Sequence, residues 1–267
     1  MKVLLTGATG YIGHQLAHKL AKDNFTVNAL VRDLNSNNIP RHKNIIPFKG
    51  NICDYDSVKN AINDCDYVFH TAAYTDLKCN KIDKFYNTNV LGTTNIMKAS
   101  LDKNIKKVIY TSTLSVFGPA LYHVPITENQ PRISSYSNDY ELTKKMSEEV
   151  VLDYVKKGVS CSILNLSRVY GPGINTYSNG VNKIISKIMN DKVLYVPDKL
   201  HVEANYVYVE DVLNAQLLAL EKGLSGEKYI IGGENEDYLG LFNRIKSISK
   251  SKISIIKLNY NLIKNGI

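Results

Sequence analysis

Short apolar, β-branched runs alternate with longer amphipathic stretches along most of this chain. The runs predict strands at 2–6 (KVLLT), 25–31 (FTVNALV), 44–49 (NIIPFK), 65–70 (CDYVFH), 106–112 (KKVIYTS) and 159–167 (VSCSILNLS). Between them, YIGHQLAHKLAKD, NTNVLGTTNIMKASLDK and NDYELTKKMSEEVVLDYVKK repeat apolar residues at three- and four-residue intervals, which predicts helices. Strands separated by helices predict an α/β fold, a doubly wound parallel sheet with helices on both faces. Ligands of such sheets bind outside the carboxyl ends of the strands.

Composition narrows the class. With 267 residues, 44% hydrophobic and 22% charged, the chain matches an ordinary globular protein of one large domain or slightly more. The apolar run in MKVLLTGATGYIG is too short for a signal peptide or a membrane span, so a cytoplasmic protein without membrane association is expected. Cys53, Cys65, Cys79 and Cys161 have neither CxxC nor zinc-like spacing, which predicts reduced thiols and no metal site. The net charge of +8 owes much to Arg244, Lys246, Lys250, Lys252, Lys257 and Lys264 near the end of the chain. Without interleaved aromatic residues these read as a solvated face, and no nucleic-acid partner is expected.

The first strand runs directly into TGATGYIG, with Gly7, Gly10 and Gly13 at the start of an amphipathic helix. In that position the first glycine permits a tight turn, the second lets backbone approach a pyrophosphate, and the third lets the helix pack on the sheet. The turn residues Thr6, Gly7, Thr9, Gly10, Tyr11, Ile12 and Gly13 are therefore the expected phosphate-side contacts of a dinucleotide, bound at free N–H groups of the helix start.

A second candidate signal is tyrosine followed four residues later by lysine. It occurs five times, as YDSVK from Tyr55, YTDLK from Tyr74, YELTK from Tyr140, YVPDK from Tyr195 and YNLIK from Tyr260. Among the 18 tyrosines of a lysine-rich chain, such spacing decides nothing alone. Only YELTK opens a long helix after the fifth strand, where positions i and i+4 share a face.

The glycine turn, VFHTAA (68–73), NVLGTTN (89–95), YTSTLSVFG (110–118), YELTKKMSEE, NLSRVYGPG (165–173), YVYVEDV (206–212) and GEKYIIGGEN (226–235) occur in an order that covers nearly the whole chain. This succession resembles the extended short-chain dehydrogenase/reductases, the NAD-dependent epimerase/dehydratase family, and most of all its dihydroflavonol-reductase-like branch. The resemblance implies a Rossmann-type dinucleotide domain over 1–167 and a small, partly interleaved substrate-binding lobe over 168–267, shortened at its carboxyl end. It implies Tyr140 and Lys144 as catalytic pair, with Lys144 also bonding the nicotinamide ribose, and Thr113, beside Ser112, in place of the family's serine. Asn89 resembles the asparagine that organises the neighbouring helix, while Thr71, Ala72 and Ala73 fall on a cofactor-lining segment. A homodimer through the 89–103 and Tyr140 helices is also implied.

The expected chemistry needs a phenol that ionises below its usual pKa, which a nearby ammonium promotes. Tyr140 would donate a proton to a carbonyl, or take one from an alcohol in reverse. At the end of the second strand Val31 replaces the family's acidic residue and Arg32 follows it, favouring NADP(H). Asp33 leaves NAD(H) open, and Asn51 with Ile52 resembles the adenine-contacting pair. Ala204 and Asn205 stand where nucleotide-sugar enzymes carry Arg-Asp, and Leu114 and Ser115 where dehydratases carry an acid–base pair. These departures favour a ketone or aldehyde reductase (or the matching alcohol oxidation) on a small non-nucleotide substrate, over a nucleotide-sugar epimerase or dehydratase and over dinucleotide binding without turnover. Loops 74–84, 119–137 and 174–199 are the expected substrate walls, with Tyr122, Tyr136 and Tyr177 as aromatic candidates.

Overall fold

The computed structural model describes residues 1–121, 124–176 and 179–260; Tyr122, Tyr177 and Lys264 lie outside them. In chain order the first half comprises β1 (Lys2–Thr6), α1 (Tyr11–Lys22), β2 (Thr26–Val31), β3 (Ile45–Lys49), α2 (Tyr55–Ala61), β4 (Tyr67–His70) and α3 (Ile82–Phe85). A π-helical turn (Tyr86–Leu91) leads into α4 (Gly92–Asp102), followed by β5 (Lys107–Thr113), α5 (Asp139–Lys156) and β6 (Cys161–Leu166). The six predicted strands all form, each within about two residues of its expected ends. The predicted helix at 87–103 instead begins in π geometry, a distortion that often marks functional sites.

Beyond β6 lie β7 (Arg168–Tyr170), α6 (Gly180–Asn190), β8 (Val193–Pro197), β9 (Glu203–Tyr208), α7 (Val209–Lys222), β10 (Lys228–Ile231), β11 (Glu234–Asp237), α8 (Tyr238–Ser249) and β12 (Ser254–Leu258). The central sheet has seven parallel strands in the order β10-β6-β5-β4-β1-β2-β3. Its order reverses beside β1, so a crevice opens off the carboxyl ends of β1 and β4. Two apolar clusters bury the sheet's faces, one containing Leu16, Leu20 and Phe69, the other Ile96, Met97 and Tyr110.

The return of β10 to the edge of the large sheet interleaves the two halves of the chain across residue 167. A second sheet, β11-β9-β7, and a two-stranded ribbon, β12-β8, stand beyond the carboxyl end of β6. The terminal segment SKISIIKLNY supplies β12, whose parallel pairing with β8 accompanies a separate small core around Ile188, Phe242 and Ile253. Among the described residues no helix is long and apolar enough to cross a membrane.

Candidate active site

The glycine turn has the form the sequence predicts. Gly7 adopts φ +76°, and its N–H-facing loop is closed by Gly10 N donating to Gly7 O at 2.8 Å. A side chain at Gly7 would meet Ala72 N and Thr71 Oγ1 at 2.8 Å, and one at Gly13 would run into the Gly7 carbonyl. Thr6, Thr71 and Ala72 knit β1 to β4 there: Thr71 Oγ1 donates to Thr6 O at 2.8 Å and Ala72 N to Thr6 Oγ1 at 3.3 Å. The start of α1 has no side-chain cap and no acidic residue in its first turn, so its N–H groups remain open to an anion. This cradle fits the pyrophosphate of a dinucleotide. Tyr11 instead ties the turn to the second half, its hydroxyl donating to Gly171 O at 2.9 Å, while Ile12 packs on the core and Thr9 sits half-buried in the turn.

At the adenosine end, Arg32 is exposed just past β2, close enough to Cys53 for its charge to act on the thiol. The carboxylate of Asp33 accepts from Asn35 N at 2.9 Å and so serves its own loop. Asn51 Oδ1 accepts from Cys53 N at 3.0 Å, and Ile52 is buried against Gly92.

The nicotinamide end is assembled on α5. Asn138 caps the helix by accepting from Glu141 N at 2.9 Å, which places Tyr140 in the first turn and Lys144 one turn on. Tyr140 is half-buried, close enough to the Thr113 hydroxyl at the carboxyl end of β5 for that hydroxyl to act on the phenol. Burial pushes its pKa up to about 12, against the opposing pull of the Thr113 hydroxyl. That differs from the depressed value expected of a paired phenol: burial outweighs the Thr113 hydroxyl, and Lys144 is bonded elsewhere. Its Nζ donates to Tyr110 Oη at 2.5 Å and to Thr111 O at 2.8 Å. Only 2% exposed, Lys144 has its pKa lowered to about 7 by desolvation, which Glu148 partly offsets. Tyr140 is thus held protonated, the form in which it can give a proton.

Asn89 lies buried in the π-helical turn and organises its surroundings. Its amide accepts from Tyr74 N at 2.7 Å and donates to Thr143 Oγ1 at 3.0 Å, and its carbonyl accepts from Ser147 Oγ at 2.7 Å. The other tyrosine–lysine pairs are not assembled into sites among the described residues. Tyr55 bonds Asp102 and faces Lys98, Tyr74 packs edge-on to Phe85, and Tyr195 is exposed on β8.

Beneath this group lies a buried charge that sequence reasoning missed. Glu148, one turn past Lys144, accepts from Ser112 Oγ at 2.5 Å and Asn165 Nδ2 at 2.6 Å, and pairs with Lys228 of β10 at 2.5 Å. Asn165 also donates to Thr113 O at 3.1 Å, so the network fixes the end of β5. The four-residue step Tyr140, Lys144, Glu148 was visible as one helix face; the partner 80 residues away was not. Arg132 was likewise missed: it pairs with Glu141 at 2.7 Å and donates to Ser115 O at 2.6 Å, holding the 119–137 loop on α5. Tyr136 of that loop stacks on the same guanidinium at 4.2 Å.

The chain is similar to known proteins. The chain is 30% identical over 257 residues to dTDP-D-glucose 4,6-dehydratase of Dictyostelium discoideum, covering 88% of this chain and 59% of that one. It is 26% identical over 253 residues to a protein named as a candidate dihydroflavonol 4-reductase of Synechocystis sp., covering 92% and 71%. The chain thus spans about three fifths to seven tenths of these relatives' lengths. A UDP-glucose 4-epimerase of Thermotoga maritima, solved with UDP-glucose, superposes with a TM-score of 0.88 at 23% identity, over 97% of this chain and 86% of that one. The family model for the NAD dependent epimerase/dehydratase family matches residues 3–232, a span holding the glycine turn, Thr113, Tyr140 and Lys144, and the chain belongs to that family.

Proposed function

We propose that this protein is an NADP(H)-dependent oxidoreductase that reduces a ketone or aldehyde on a small non-nucleotide substrate, or oxidises the matching alcohol. The observation that carries the reading is the approach of Tyr140 to the Thr113 hydroxyl at the carboxyl end of β5, with Lys144 one turn along α5. A bound nicotinamide dinucleotide supplies or accepts the hydride. Thr113 and Tyr140 offer two hydroxyl donors to the substrate oxygen, and the raised pKa of Tyr140 keeps its proton available for transfer as negative charge develops there. Thr6, the glycine turn and the 71–73 segment would hold the pyrophosphate side, and the one Lys144 N–H not given to Tyr110 or Thr111 would bond the ribose.

Arg32 supports the choice of NADP(H), because an exposed guanidinium beyond β2 can pair with a 2′-phosphate while the Asp33 carboxylate is engaged by its own loop. We extend the reading to a homodimer through α4 and α5, where Tyr86 and Leu91 expose apolar surface on the adjoining turn. Sedimentation equilibrium should then give twice the chain mass, and a monomer at micromolar concentration would refute it. The test of the chemistry is a carbonyl panel followed by NADPH absorbance. Tyr140→Phe should remove at least ~99% of turnover while changing NADPH affinity only a few-fold; undiminished turnover would refute the assignment.

A nucleotide-sugar epimerase or dehydratase is the second reading, favoured by the 30% identity to the Dictyostelium dehydratase. Turnover of nucleotide sugars, but of no simple carbonyl, in the same panel would replace the first reading with it.

A further inference from the structure

The small sheet β11-β9-β7 carries a cation for which the proposed proton transfer has no use. Arg168 opens β7 two residues past Leu166, and Leu166 is the register partner of Thr113. Two extended residues span about 7 Å and neighbouring strands lie about 5 Å apart, so Arg168 stands within roughly 12 Å of Thr113. Within the small sheet Arg168 pairs with Tyr206, and Ala204 lies two residues before Tyr206 on β9. Residues directly paired, or two apart on a strand, share a face, so Arg168 projects from the same face as Ala204.

The guanidinium is held but not neutralised. Its Nη1 donates to Tyr238 Oη at 2.5 Å, and its centre lies 5.3 Å from the Tyr238 ring and 5.9 Å from the Tyr206 ring. Arg132 and Arg244, by contrast, are paired with Glu141 and Glu236 at 2.7 and 3.1 Å. Glu236 is the register partner of Ala204, so the one carboxylate directly opposite that position is already engaged. Among the described residues no carboxylate lies within ion-pair distance of Arg168, which is exposed. A planar fork steadied by two aromatic side chains, with N–H groups to spare, suits an oxyanion. Arg168 therefore puts an unneutralised positive charge on the face it shares with Ala204.

We infer that Arg168 is a specificity-determining residue, binding a carboxylate or phosphate group of the substrate whose carbonyl lies at Thr113 and Tyr140. The inference rests on the proposed reductase reading and adds the charge class of its substrate. Both ends then fit a compact molecule whose anionic group lies several bonds from the reacting carbon.

Isothermal titration of the protein loaded with NADP+, which has no hydride to give an aldehyde, with 4-formylbenzoate, neutral 4-formylbenzamide and inorganic pyrophosphate tests it. At least one anion should bind ~10-fold or more tighter than the amide, the worth of one charge-assisted pair. The tighter of the two anions distinguishes carboxylate from phosphoryl recognition. Arg168→Met should bring the anion-to-amide ratio to about one, and Arg168→Lys, which keeps the charge but loses the fork, should fall between. NADPH affinity in the same series identifies a misfolded variant, in which case the lysine variant decides. Equal binding of anion and amide by the unaltered protein, or a preference that survives both substitutions, overturns the inference. Tyr140→Phe should keep the anion preference, so failure of the catalytic assignment and failure at Arg168 give different results.

Discussion

Charged groups are treated in opposite ways by the two sheets. Around β5 and α5 they are buried and bonded: Glu148 is inaccessible, Lys144 is 2% exposed, and each is held by hydrogen bonds to named neighbours. Around the small sheet the charges stand in solvent, with Arg168 of β7 steadied by tyrosine rings and Arg244 of α8 paired with Glu236 across an exposed surface. The contrast separates two tasks. Proton transfer needs groups fixed before the substrate arrives, which burial and networks provide. Recognition of different substrates needs donors that water can occupy until a ligand displaces it.

Three measurements would break or sharpen this contrast. The largest effect belongs to the buried pair. Lys228→Met leaves the Glu148 carboxylate without its cation and should cost about 3–5 kcal/mol, because an uncompensated buried charge is worse than no pair at all. Adding Glu148→Gln should recover part of that loss in urea unfolding. An unchanged midpoint for the single variant would show that the network adds nothing to the stability of the large sheet.

The next concerns pH. His70 is buried between Thr6 Oγ1 at 2.7 Å and Thr93 Oγ1 at 3.1 Å, and burial lowers its pKa to about 3. The unfolded chain takes up this proton near pH 6.5, whereas the folded one refuses it. The His70 contribution to stability is therefore complete above pH 6.5 and is lost as pH falls toward 3, by roughly 3 kcal/mol at pH 4. Lys144 acts with the same sign in a higher window: with its pKa lowered to about 7, stability rises with pH between about 7 and 10.5. Melting temperatures from pH 4 to pH 10 should show both slopes, and His70→Gln should flatten the acid one alone. A flat acid limb in the unaltered protein would remove His70 from the account.

The smallest effect is expected at an exposed arginine. Arg32→Ala should weaken NADPH binding by about tenfold and NADH binding by much less, as the loss of one charge-assisted phosphate contact. Fluorescence titration with both dinucleotides reads this directly. Equal losses for the two would return the cofactor choice to NAD(H).

Legibility in the sequence followed the same division. Strand positions and the glycine turn are set by neighbours in the chain, through side-chain period and φ freedom, and both were readable. Thr113, Tyr140, Lys144 and Asn89 came from motif order, and the fold brings them to one end of β5 and α5. The π-helical start of the α4 region was not readable, because Asn89 is engaged there by Tyr74, Thr143 and Ser147 from other segments. Nor was the bonding of Lys144 to Tyr110, nor the burial of Tyr140 that raises its pKa where a lowered one was expected.

What the sequence determined by itself was the parallel sheet, the cradle for phosphate and the helix that presents a phenol and an ammonium one turn apart. Period and backbone freedom are local properties, and local properties survive in a string of letters. Only the tertiary structure decided that β10 closes the sheet and delivers Lys228 to Glu148, and that Arg168 comes to rest between two tyrosines beside Ala204. Those outcomes depend on strand order and register across tens of residues, where burial energy, rather than any nearby residue, chooses the partner.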